Sequence, residues 1–240
     1  MILANPKNEL NLVPKPAAVP ERYQQFNHNM NKSEDYIWYA SYGSNLLEER
    51  FHCYIEGGKP KGSTKQYKGC KNKTLPINSE ETYITSELYF AKESETWNGG
   101  GVCFISNDFN PKAETLARMY LITKEQFVDV VKQEIGKEDF EIDFEKAISD
   151  GSNIFRKNSW YNKIHYLGLQ NNFPIFTFTH DSDYEEENKP DINYLKIIVK
   201  GIKETFQNFN EVEIAEYLIS KRGIYGNFSN EALLEIISNE

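Results

Sequence analysis

An aromatic, strand-like run, Tyr36-Ile37-Trp38-Tyr39, passes through Ala40-Ser41-Tyr42 into Gly43, and Ser44-Asn45-Leu46 follow. A short apolar run closed by glycine reads as a buried strand ending in a sharp turn, and Ser44 or Asn45 is a suitable helix start. Asn45 and Glu48 stand at capping-box spacing, with Asn in place of the usual Ser or Thr. A strand that turns into a helix start leaves backbone N–H groups without intrahelical partners, and such groups attract anions and carbonyl oxygens. The same pattern also describes an ordinary strand-to-helix turn.

A second feature lies downstream, in Leu121 to Gly136. Thr123 and Gln126 have capping-box spacing, and Phe127, Val130 and Val131 fall on one helical face. The next position of that stripe is Glu134, and Gly136 is a C-terminal stop. Lys124, Glu125, Asp129 and Lys132 fall largely on other faces. A carboxylate on the core side of a helix is costly unless paired or neutralised. It also stands near the negative end of the helix dipole. Both effects are expected to raise its pKa, which suits proton transfer near neutral pH. The alternative is a frayed last turn that lets Glu134 reach water.

Tyr42-Gly43-Ser44-Asn45-Leu46 after a hydrophobic strand resembles the signature of the gamma-glutamylcyclotransferase-like family, which includes the AIG2-like proteins. Gly100-Gly101-Val102-Cys103-Phe104-Ile105, then Ala117 to Ile122, then the helix ending Gln133-Glu134-Ile135-Gly136 resemble the unit that carries that family's acid/base glutamate. This chain departs from the pattern in the run Ser106 to Glu114 and in Ile135 before the glycine. Pro174 to Thr179 and Pro190 to Leu195 echo the family's late strand and final helix. The resemblance covers roughly residues 36–206. Early strands interleaved with a few helices, then a helical C-terminal tail, point to an α+β fold, and the resemblance sharpens this to a small mixed β-barrel with surrounding helices. It implies Glu134 as general acid/base and Tyr42, Gly43, Ser44, Asn45 and Leu46 as substrate-binding residues. No cofactor is implied, because nucleophile and electrophile lie in one substrate molecule.

Composition sets outer bounds. The 240 residues suffice for one sizeable core with appendages. The 15 Tyr and 15 Phe argue against a disordered chain, and a net charge of −9 argues against general binding to nucleic acid or anionic membranes. No apolar run reaches membrane-spanning length, and the first residues lack a signal-peptide pattern, so a cytoplasmic location is expected. Cys53, Cys70 and Cys103 form no pair with metal-ligand spacing, and Cys103 reads as a small core residue. His28, His52, His165 and His180 are isolated.

Residues 1–35, with Pro6, Pro14, Pro16 and Pro20, read as an extended or poorly ordered arm; 36–206 form the main domain and 207–240 a helical extension. Gly62-Ser63-Thr64-Lys65 lacks the order of a phosphate loop. Further strands are expected at 86–91, 101–105, 115–122, 160–169 and 174–179, with Asn98 to Gly101 as a turn. Helices are expected at 139–149, 191–206, from Asn210 to about Arg222, and at 229–238. Five acids between Asp181 and Lys189 read as a solvated loop, since a calcium loop's ligand spacing is missing.

The resulting expectation is an enzyme that converts a gamma-glutamyl amine or gamma-glutamyl amino acid to 5-oxoproline and free amine. The partner would be that small molecule, with no nucleic acid and no membrane, and the arm or the C-terminal helices could support a homo-oligomer. The alternative is a non-catalytic small-molecule-binding or interaction module on the same scaffold, motivated by the arm and the extra helices.

Overall fold

A computed structural model of the chain describes residues 36–61 and 65–240. The arm expected at 1–35 and Gly62-Ser63-Thr64 lie outside them. Strand β1 (Tyr36–Ser41) is the hub. It runs antiparallel to β5 (Thr115–Thr123), from Tyr36 opposite Thr123 to Ser41 opposite Arg118. On its other side it runs parallel to β8 (Phe173–Thr179), with Trp38 opposite Ile175. Ile37, Trp38, Tyr39 and Ala40 are all buried. Burial on both faces is why β1 reads as a continuous apolar run rather than an alternation.

β2 (Ser79–Ile84) lies outside β5, while β7 (Lys163–Gln170) and β6 (Ser152–Ile154) lie outside β8, giving the order β2-β5-β1-β8-β7-β6. β3 (Ser86–Ser94) and β4 (Gly100–Phe109) form a separate two-stranded ribbon. The α+β class expected from sequence is present, but no backbone ladder closes the sheet into a barrel among the described residues. Two threonines connect the ribbon instead. Thr115 Oγ1 donates to the Ser86 carbonyl at 2.6 Å, tying β5 to β3, and Thr179 Oγ1 donates to the Ile105 carbonyl at 2.9 Å, tying β8 to β4. The ribbon has register shifts at Ser86/Leu88 and Ala91/Ser94. Bulges of this kind bend and twist a strand, which removes the straight edge that a continuous ladder needs.

Helix α1 (Glu48–Glu56) and helix α2 (Lys124–Ile135) cover one face of the sheet. The layer between them is aromatic. Phe51 stacks on Tyr120 at 4.0 Å between ring centroids, and Tyr39 stacks on Phe178 at 5.4 Å. Phe51 is fully buried, so truncation to alanine should cost about 3–5 kcal/mol. The α2 capping box forms as expected. Thr123 Oγ1 accepts from the Gln126 amide at 3.1 Å, and Gln126 Oε1 accepts from the Thr123 amide at 3.0 Å. Gly136 ends the helix in the left-handed region, at φ 63°. Asp129 departs from the reading that put it off the apolar face: it is buried and accepts from the Lys71 amide at 2.8 Å.

Helix α3 (Phe144–Asp150) starts later than expected because Asp143, not Asp139, is its N-cap. Helices α4 (Ile192–Thr205), α5 (Glu211–Ile219) and α6 (Asn230–Ser238) form where helices were expected, with Asp191, Asn210 and Ser229 as their N-caps, and α5 ends at Ile219 rather than near Arg222. Ile214, Leu218, Leu233 and Ile237 are fully buried, so α5 and α6 belong to the core.

The acidic segment 181–189 is irregular, and Asp183, Glu185, Glu186 and Glu187 are exposed, as expected of a solvated loop, but two of these acids also anchor it. Asp183 Oδ1 accepts from the Asn107 amide at 2.8 Å, and Glu187 Oε2 accepts from the Gly223 amide at 2.9 Å. The Gly101 amide donates to the Lys189 carbonyl at 2.9 Å, so the segment straps the ribbon to the C-terminal region. A Cβ at Gly101 would collide with the Asn188 carbonyl. Close backbone approach thus accounts for a glycine that a turn alone would not require.

Candidate active site

β1 delivers Ser41 and Tyr42 to a single 3₁₀ turn, Ser44–Leu46. The Leu46 amide donates to the Gly43 carbonyl at 3.0 Å, and the Leu47 amide to the Ser44 carbonyl at 3.3 Å. The amides of Gly43, Ser44 and Asn45 precede the first of these bonds and have no backbone acceptor among the described residues. Leu46 therefore differs from its expected role: its amide is spent in the turn, and its side chain is buried in the core.

The Asn45–Glu48 capping box does not form. Leu47 is extended (φ −75°, ψ 115°) and interrupts the path, so α1 begins at Glu48 with Leu47 as its N-cap. Asn45 thus lies too early to cap the helix. Its side chain reaches across instead, and Nδ2 donates to Glu134 Oε1 at 3.1 Å.

Glu134 is the half-buried acid at the end of α2. Its neighbour Gln133 fastens that helix end. Gln133 Oε1 accepts from the Gly69 amide at 3.0 Å, and Nε2 donates to the Tyr54 carbonyl at 2.9 Å. Glu134, Tyr42, Gly43, Ser44 and Asn45 line one cavity of about 190 Å³. The tertiary fold thus brings an acid from the middle of the chain to the amide-lined bend near residue 43. Tyr42 forms wall, with its hydroxyl fixed on the Phe178 carbonyl at 2.7 Å.

Several lining residues were not anticipated: Tyr39, Arg50, Tyr54, Trp97, Tyr161 and Tyr194. Cys103 also lines the wall, and burial pushes its thiol up to about 12, so it is protonated near neutrality. Burial likewise lifts the Tyr42, Tyr54 and Tyr194 hydroxyls well above their ordinary value. They remain neutral hydrogen-bonding groups. The charged side chains of the lining are Glu134, Arg50 and Lys65. Arg50 was legible in principle. It stands four residues before Tyr54, on the buried side of α1, just as Glu134 continues the stripe of α2.

The chemistry open to this cavity is proton transfer by one carboxylate, beside amides that can hold an oxygen. Among the described residues no group of three or more His, Cys, Asp or Glu side chains could hold a metal ion, and no helix is long and apolar enough to cross a membrane.

No protein-family model matches the chain. Over 152 residues, 60% of its length, it is 35% identical to histone deacetylase 5 of Arabidopsis thaliana, and it spans 23% of that protein, about a quarter. Among solved structures, one described as gamma-glutamyl cyclotransferase is 18% identical, with a TM-score of 0.45, covering 86% of this chain and 100% of its own. An uncharacterized protein from Homo sapiens is also 18% identical, with a TM-score of 0.44, covering 85% of this chain and 99% of its own. A yeast gamma-glutamyl cyclotransferase specific to glutathione is 12% identical, with a TM-score of 0.26, covering 85% of this chain and 96% of its own.

Proposed function

We propose that the chain is a gamma-glutamylcyclotransferase-like enzyme that releases 5-oxoproline and a free amine from a gamma-glutamyl amine or gamma-glutamyl amino acid. The observation that carries this reading is the placement of the Glu134 carboxylate against Asn45, across one cavity from the unpaired amides of Gly43 and Ser44. The resemblance of Tyr42 to Leu46 to that family's signature supports it.

In this reaction the substrate's own α-amino nitrogen attacks its γ-carbonyl carbon. A carbon–nitrogen bond closes a five-membered lactam, and the original amide carbon–nitrogen bond breaks. One proton moves from the attacking nitrogen to the leaving nitrogen, and no electrons are exchanged with an outside group. Glu134 takes that proton and returns it. Holding the substrate folded supplies much of the acceleration, since an oriented intramolecular attack avoids the entropy cost of an encounter. The amides of Gly43, Ser44 and Asn45 hold oxygen atoms of the glutamyl part as charge develops on the carbonyl. Tyr42 walls the pocket. The three cysteines are unpaired, which suits a reducing cytoplasm.

The test is incubation with gamma-glutamyl dipeptides and with gamma-glutamyl-lysine, followed by chromatographic detection of 5-oxoproline. Glu134→Gln should lower turnover on the order of 10²- to 10⁴-fold, the range for a lost general acid/base, with a folded circular-dichroism spectrum. Undiminished turnover in a folded Glu134→Gln variant would remove Glu134 from the mechanism. Binding of gamma-glutamyl compounds without any product would instead favour a non-catalytic module.

A further inference from the structure

Among the described residues, three buried side-chain atoms lack a hydrogen-bond partner: Asn45 Oδ1, Arg50 Nη1 and Thr177 Oγ1. Two of them, Asn45 Oδ1 and Arg50 Nη1, belong to side chains that line the same cavity. Asn45 is 3% exposed and Arg50 5%. A buried, unsatisfied polar group is costly, and an unpaired buried charge more so.

The surroundings of Arg50 define what is missing. Its Nε donates to Ser44 Oγ at 3.0 Å and its Nη2 to the Tyr67 hydroxyl at 2.9 Å. The Trp97 and Tyr67 rings lie 5.4 and 5.7 Å from its Cζ. Neutral hydroxyls and aromatic rings thus adjoin the guanidinium, the Glu134 carboxylate of the same cavity acts on it through space, and no carboxylate forms a direct ion pair with it among the described residues. The unmatched donor calls for an anion. The unmatched acceptor on Asn45 calls for an N–H donor, beside the carboxylate that Asn45 Nδ2 already holds.

We propose that Arg50 and Asn45 together form the head-group subsite of this cavity, with Arg50 binding an α-carboxylate and Asn45 Oδ1 accepting from the adjacent α-amino group. A free α-amino acid head presents those two groups from one carbon atom, which matches an unpaired acceptor on the 3₁₀ turn and an unpaired donor on the helix that follows it, both on side chains of one cavity. This rests on the proposed cyclisation, and it adds a substrate rule: ligands whose α-carboxylate is amidated are rejected. Asn45 then has two jobs. It holds Glu134 through Nδ2, and it steers the nucleophilic nitrogen toward that carboxylate through Oδ1. Arginine suits the carboxylate because its planar fork fixes orientation as well as charge.

The experiment compares binding of 5-oxoproline with binding of its carboxamide by calorimetry, in the full chain and in Arg50→Gln and Arg50→Lys. The wild type should prefer the carboxylate by roughly 10- to 100-fold, the range for a charge-assisted bond in a desolvated site. Arg50→Gln should abolish the preference, and Arg50→Lys should retain part of it. Equal affinity of the wild type for the two compounds overturns the proposal, whether or not Arg50→Gln folds, and so does failure to bind either. A folded Arg50→Gln that keeps the full preference overturns it too. Turnover without carboxylate preference leaves the enzymatic reading standing and removes this one. Arg50-dependent preference without turnover does the reverse.

Discussion

Gly201 on α4 offers a prediction in which two local effects have opposite signs. The residue is buried, and α4 crosses directly over the 3₁₀ turn that carries the amides of the candidate site. A Cβ there would lie 2.6 Å from the Leu47 nitrogen and from Leu46 Cβ, and 2.7 Å from the Leu46 carbonyl carbon. Helix propensity alone makes Gly201→Ala stabilising by about 1 kcal/mol. Two of the three obstructing atoms are backbone and cannot rotate away, so helix and turn must part by roughly 0.8 Å to reach ordinary contact. Overpacking of this kind costs about 1–3 kcal/mol, and more where backbone is the obstacle. The net expectation is a loss of about 1–2 kcal/mol, or a Tm lower by about 2–8 °C for a domain of this size. The displaced turn also moves the amides of Gly43, Ser44 and Asn45. A misplacement approaching 1 Å costs on the order of 10²-fold in rate, so product formation should fall by about one to two orders of magnitude. Thermal unfolding and 5-oxoproline release, measured on the same preparation, test both halves. An unchanged or raised Tm with full turnover would refute the close packing and the link from α4 to the site.

Other perturbations isolate single interactions. Asn45→Ala removes the contact that positions Glu134. It should lower kcat by at least about tenfold while shifting Tm by no more than a few degrees, and an unchanged kcat would detach Asn45 from the acid. Thr123→Ala removes the N-cap of the helix that bears Glu134 and should cost about 1 kcal/mol in urea unfolding, with Thr123→Ser restoring most of it. His165 is buried beside Lys163, and burial first, then that charge, holds its imidazole down to about 4. The folded state therefore takes up a proton less readily than the unfolded chain, whose histidine titrates near 6.5. Its contribution is fully present above that pH and is lost as pH falls from about 6.5 toward 4, by up to about 3 kcal/mol. His165→Gln should flatten that part of the stability profile. An identical slope in the two proteins would show that His165 titrates normally.

Local grammar made much of this protein readable in advance. Where a single helix or strand carries its own signal, as in the Thr123–Gln126 capping box, the Gly136 stop or the apolar run at Tyr36–Tyr39, sequence periodicity and cap chemistry are enough. They failed for β2, because Ser79–Ile84 (SEETYI) is an edge strand with little apolar character and is fixed by pairing to β5. They found the exposed acidic segment but not its anchoring, since its bonds to Asn107 and Gly223 come from residues far away in the chain.

The candidate site divides along the same line. The chain by itself marked Gly43, Ser44, Asn45 and Glu134, since a turn motif and an acid on an apolar stripe are properties of short segments. Tertiary structure decided how they are used. It spent the Leu46 amide inside the turn, moved the helix start to Glu48, and turned Asn45 from an expected cap into the partner of Glu134. It also brought Arg50 in beside them, with a donor left unmatched. Cavities and unsatisfied atoms depend on what approaches from elsewhere in the fold. Close packing of β1, α1, α2 and α4, rather than any local pattern, settled which groups meet.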